Sequence, residues 1–327
     1  MASEDVRIWR RGPAPTPAGG ADHDHGYFGP DSQVWRVLLH PVVTPFLAPV
    51  TGLLEMTHIG MQAVMIDHDP LAVTGRNRRT MSPIMAVRRA QRTVGVPVPI
   101  ILGDRASADR IAAHLRRYHT PMTGTIPGTS EAYGAQSDEL VLFAHVTIMQ
   151  AALLVYEHFA YDGLRAPRRL APDDRDRFWL EAKQFGVLMG ARPDEIPVTC
   201  RQVERYYASI ADRYGLVEHF LRDLAIKPTL AMARGFRPEQ LPELAPMLLA
   251  GLVAPALLAA VPRPARRNLG IPAVADPVLT LALWLTRPAM RAFTIRRFAD
   301  AVERRVTGPD AMELVAHARR VRAARAA

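Results

Sequence analysis

Apolar positions along the middle of the chain recur at steps of three and four, the period of one helix face. Residues 104–119 open at Asp104 and carry Ile111, Leu115 and Tyr118 at that spacing; Pro121 and Gly124 stop the run. A loop rich in Gly, Thr and Pro leads to Gln136. Ser137 then predicts an N-cap, with Asp138 and Glu139 in the first turn, where they complement the helix dipole. The helix that follows runs to Tyr161 and is apolar almost all round, from Leu140 through Phe143 to Leu153 and Val155, the mark of a buried helix. A further helix spans 173–190, behind Pro172 and with Gly190 near its end.

β-branched runs are rare. Residues 94–102 look strand-like, but Pro97 and Pro99 interrupt them. There is no strand–helix alternation and no internal repeat, so the expected fold is all-α, a single globular helical domain. Residues 246–261 form the most apolar stretch, uncharged, with Gly251 and Pro255 inside it. It is shorter than the roughly 20 residues a membrane span needs. Arg263, Arg266 and Arg267 follow at once. The plain reading is a core helix and a loop; the other is a peripheral membrane contact through 246–267. Residues 1–25 read as a disordered tail, and 306–327 as an Arg-rich, solvated C-terminal helix.

Composition narrows the function classes. A chain of 327 residues that is 49% hydrophobic can bury a sizeable core. The net charge of +9 comes almost wholly from arginine, with only two lysines, Lys183 and Lys227. No recognition helix, zinc finger or RNA motif accompanies it, so no nucleic-acid partner is expected. The lone Cys200 rules out an intramolecular disulfide and the C-x-x-C-H attachment of c-type haem. No apolar segment follows Arg10-Arg11, so a cytoplasmic location is expected, with contact at a membrane periphery as the variant.

No G-x-S-x-G, Walker, G-x-G-x-x-G or H-E-x-x-H signature is present. The noticeable feature is histidine in apolar helices: His119 ends one, His145 lies inside the most apolar one, and His40 and His58 sit upstream. A neutral imidazole is a haem and metal ligand. Taken alone, each such histidine is more often a hydrogen-bonded core residue.

Several short motifs then appear in a fixed order. Residues 26–36, Gly-Tyr-Phe-Gly-Pro-Asp-Ser-Gln-Val-Trp-Arg, are followed by Arg89-Ala-Gln-Arg92-Thr93. Next come Gly103-Asp104, Ala108, Arg116-Arg-Tyr-His119 and Gly124, then Tyr133-x-Ala135, Phe143-Ala-His145-Val-Thr147 and Trp179. In order and spacing these resemble the bacterial branch of the MpaB/rubber-oxygenase family, which includes latex clearing protein. The likeness covers most of the chain and sets the domain at 26–305.

The resemblance implies an all-α fold around one buried haem b and an oxygenase that uses O₂. His119 falls on the family's proximal histidine, the iron ligand. Arg116, one turn earlier, falls on an arginine suited to a haem propionate. Arg89, Arg92 and Thr93 fall on the distal wall. His145 matches a second family histidine that either shapes the pocket or is itself the ligand. Three positions depart from the rubber oxygenases. Arg92 stands where they carry a lysine able to cap the iron, and arginine is a poor ligand. Thr123 replaces an arginine. The distal glutamate that serves as their base has no counterpart between Glu55 and Glu131, where Asp67 and Asp69 are the nearest carboxylates. The expected substrate is therefore a hydrophobic small molecule, isoprenoid or lipid-like, rather than polyisoprene. The alternatives are a non-catalytic haem-binding or haem-sensing protein, and a haem-free helical scaffold at a membrane.

Overall fold

The structure is a computed structural model that describes residues 24–77 and 82–326. The tail expected at 1–25 therefore lies outside the described residues as far as His23. The chain begins with α1 (Gln33–Leu38), α2 (Val43–Glu55), α3 (Ile59–His68), α4 (Pro70–Asn77), α5 (Ile84–Gly95), α6 (Pro97–Leu102) and α7 (Arg105–His119). A two-stranded antiparallel hairpin, β1 (Thr123–Thr125) and β2 (Ala132–Gly134), follows. Then come α8 (Asp138–Phe159), α9 (Pro172–Met189), α10 (Cys200–Ser209), α11 (Lys227–Arg234) and α12 (Leu241–Ala260). The last are α13 (Arg263–Asn268), α14 (Asp276–Met290), α15 (Arg296–Thr307) and α16 (Pro309–Ala326). The fold is all-α, as expected.

The caps sit where the sequence placed them. The Asp104 carboxylate accepts the Ser107 amide at 2.8 Å, and the Ser137 hydroxyl accepts the Leu140 amide at 3.4 Å. Gly190 closes α9 at φ +104°, a left-handed position that disfavours any side chain. The strand-like run 94–102 is helical instead. Pro97 supplies the fixed φ of a first helical turn for α6 and stops no ladder.

α8 is the central rod. By composition it is long enough to cross a bilayer, but most of it is buried against the other helices. It packs on α2 and α9, and the core between them holds Phe46, Phe159, Phe178, Trp179 and Phe185. Trp35 of α1 is fully buried and donates its indole N–H to the Ile101 carbonyl at 3.0 Å, which fastens α1 to α6.

α16 corrects one expectation. It was read as solvated, but Ala311, Leu314, Val315 and Ala318 enter the main core. Its Arg319 forks onto the wholly buried Glu303 of α15 with two bonds of 2.7 Å, and also donates to the Leu39 carbonyl at 2.8 Å. The arginine content that suggested solvent instead supplies a buried counter-ion. Arg319→Met should cost about 3–5 kcal/mol in denaturant unfolding, because it strands a buried carboxylate. Arg319→Met with Glu303→Leu should recover most of that loss.

Candidate functional site

The site is assembled from four elements. α2 ends at Glu55, and the turn after it is locked by the buried Gln62. That amide donates to the Met56 carbonyl at 2.7 Å and to Gly215 at 2.6 Å, and accepts the Val217 amide at 2.9 Å. α3 ends at Asp69, whose extended backbone suits the Pro70 that starts α4. α5 carries Arg89 and Thr93 one turn apart on one face. α7 ends at His119.

Arg89 gathers the group. Its Nε donates to Asp69 Oδ2 at 2.5 Å, and its Nη1 donates to the Thr93 hydroxyl. Asp69 is nearly buried and also accepts the Leu71 amide at 2.8 Å, so the ion pair is fixed on both sides. The Glu55 carboxylate makes no hydrogen bond or ion pair among the described residues. Burial pushes its carboxyl up to about 7, the Arg89 charge pulls it back, and the Asp69 charge raises it again. His119 is held below its ordinary value, first by burial and then by Arg89, so its imidazole is neutral near neutral pH. Glu55 and His119 each keep some accessible surface although both are strongly desolvated.

The loop after His119 is pinned by the hairpin. Tyr133 lies across Gly124, where a Cβ would come within 2.7 Å of its hydroxyl oxygen. That hydroxyl bonds Asp67 of α3 at 2.7 Å. Glycine at 124 and tyrosine at 133 are thus one device that seats the His119 loop on α3.

The remaining expected residues are placed elsewhere. Arg92 is exposed and is not brought into the group. Arg116 donates to the Leu188 carbonyl and packs under Gly190, tying α7 to the end of α9. His145 is fully buried in the α8–α9 seam, with Phe185 at 5.9 Å and Gly186 against its ring. Neither of its ring nitrogens has a partner, and burial holds it down to about 3. His40 bonds the Tyr161 carbonyl at 3.1 Å, and His58 caps α3 and lies 3.0 Å from Glu139. Both are core histidines with partners. An open groove of about 1020 Å³ between the end of α8, α15 and α16 contains none of the site residues.

The sequence reading missed Glu55. A glutamate does lie within the influence of the Arg89 charge, but it comes from the end of α2, between the first motif and the Arg89 motif. The ground for excluding a distal glutamate is thereby removed.

His119 and His145 both fit a metal ligand, since burial holds both imidazoles below their ordinary value and neither ring has a hydrogen-bond partner among the described residues. Only His119 shares its surroundings with Arg89. The family described as "ER-bound oxygenase mpaB/B'/Rubber oxygenase, catalytic domain" matches residues 35–326. The chain belongs to this family. It carries an oxygenase-type catalytic domain over most of its length. No curated protein and no solved structure matches it.

Glu55 gives a sign-definite test. Its folded pKa of about 7 lies above the ordinary carboxyl value, so the native state binds the extra proton between the two. Its contribution to stability is present at low pH and is lost as pH rises through 7. Glu55→Gln should therefore gain stability over wild type as unfolding is followed from pH 5 to pH 8. A difference that stays flat with pH would show that Glu55 is not desolvated.

Proposed function

We propose that the chain is a haem b-dependent oxygenase acting on a hydrophobic small molecule, isoprenoid or lipid-like in character. The observation that carries this is that Arg89, bonded to Asp69 and Thr93, acts electrostatically on two strongly desolvated groups, the Glu55 carboxyl and the His119 imidazole.

His119 would hold the iron through a ring nitrogen, and His145 is the other histidine with the chemistry to do so. Bound haem would supply the redox centre for O₂, which side chains cannot. The chain's own residues bind, orient and move protons. Arg89 is anchored by Asp69 and by the Thr93 hydroxyl, which itself donates to the Arg89 carbonyl, so the remaining guanidinium N–H groups are pre-oriented donors. Glu55 stands near half-protonation at neutral pH, which suits it to take a proton from substrate and return it. Desolvation dominates the shifts of both Glu55 and His119, and a water-poor pocket suits an apolar substrate. Arg116 acts indirectly, by fixing the α7 end that carries His119.

The absorption spectrum tests this reading. Protein made with haem supply should show a Soret band that is lost in His119→Ala and retained in His145→Ala. The reverse pattern moves the ligand to His145, and no band in wild type sinks the reading. Glu55→Gln should keep the band but lower substrate-dependent O₂ uptake by about 10²–10⁴-fold. Haem binding without O₂ uptake on any apolar substrate would favour the sensing alternative.

A further inference from the structure

α12 and α14 pack against each other, and α12 also packs on α2 and α5, which carry Glu55 and Arg89. Their inner sides are buried at Val253, Leu257 and Leu279. Among the described residues nothing covers their outer sides. Leu252 is 79% exposed, Val274 80%, Leu285 71% and Trp284 65%, with Leu248, Val278 and Leu281 also exposed. In α14, positions 278, 281 and 285 form one stripe, and Val274 lies in the 3-10 turn just before it. Folded proteins rarely leave so large an apolar surface in water unless it meets a partner.

Charge decides which partner. Residues 241–298 hold seven arginines and two acids, Glu243 and Asp276. Asp276 is consumed internally, 2.6 Å from Arg266 and 3.2 Å from Arg263. Arg266 is itself buried and caps the Ala259 and Val261 carbonyls at 2.9 Å, so it is not available outside. Arg267, Arg291 and Arg297 are exposed and make no ion pair among the described residues. Arg287 lies 5.8 Å from the Trp284 ring centroid. An apolar stripe with a tryptophan and a rim of free arginines is complementary to an anionic bilayer surface. A second copy of the chain would set one cationic rim against another.

We infer that the outer face of α12 and α14 is a docking surface for an anionic lipid bilayer, engaged peripherally through Leu252, Leu285 and Trp284 and held by Arg267 and Arg291. The surface is broader than the 246–267 segment, because α14 supplies half of it. It is independent of haem.

The test is co-sedimentation of the full chain with vesicles. Phosphatidylcholine vesicles doped with phosphatidylserine should bind at least about tenfold more protein than phosphatidylcholine alone, and added salt should weaken the binding. Tryptophan emission should shift to the blue on the doped vesicles, and Trp284→Phe should abolish the shift. Leu252→Asp with Leu285→Asp should lower binding about tenfold or more at unchanged far-ultraviolet circular dichroism. Arg267→Glu with Arg291→Glu should do the same and perturbs no buried residue. Equal sedimentation of wild type and both double variants overturns the inference. So does a dimer in light scattering that the leucine variant disperses, which would assign the face to a second copy.

Discussion

A guanidinium charge that is partly buried must be paired, and Arg89 meets that requirement by drawing Asp69 and Thr93 to itself. The arrangement constrains what lies around it. One positive charge faces two carboxylates in a poorly solvated space, and it is bonded to only one of them. Asp69 takes the direct contact, and burial pushes Glu55 up to about 7, with Arg89 pulling it back and the Asp69 charge adding to the rise. The same charge disfavours protonation of His119 and keeps its imidazole available. Burial and one ion pair together thus set the state of both the Glu55 carboxyl and the His119 imidazole.

The scaffold exists to hold that group. The Gln62 amide locks the turn after Glu55, Pro70 sets the backbone of Asp69, and Tyr133 over Gly124 seats the loop after His119. Arg116 holds the α7 end from the other side through the Leu188 carbonyl. Beyond the site, α12 presses its inner side on α2 and α5 and leaves its outer side apolar. The helices of the site and the exposed face are therefore neighbours in one packed unit.

The local rules read well from sequence because they are local. Asp104 and Ser137 cap their helices, Gly190 ends α9, and the apolar sweep of α8 marks the central rod. Arg89, Thr93 and His119 were legible as motif residues, and the fold brings them together. Glu55 was not legible, because no helical period links the end of α2 to α5; only tertiary packing joins them. Arg92 shares the motif with Arg89 and follows it by one turn on α5, but it is exposed and makes no bond to the group among the described residues. The C-terminal helix misled for a related reason. Its arginines suggested solvent, yet Arg319 answers a buried carboxylate that only the packing reveals.

The central claim is that burial raises Glu55 to near neutrality and that the Arg89 charge keeps it from rising further. Infrared difference spectroscopy of the carboxylic-acid carbonyl band, titrated in wild type, Glu55→Gln and Arg89→Leu, measures it directly. The account predicts a band that titrates near 7 in wild type, is absent in Glu55→Gln, and moves to higher pH in Arg89→Leu. A Glu55 that titrates in the ordinary carboxylate range, or one indifferent to Arg89→Leu, would contradict it.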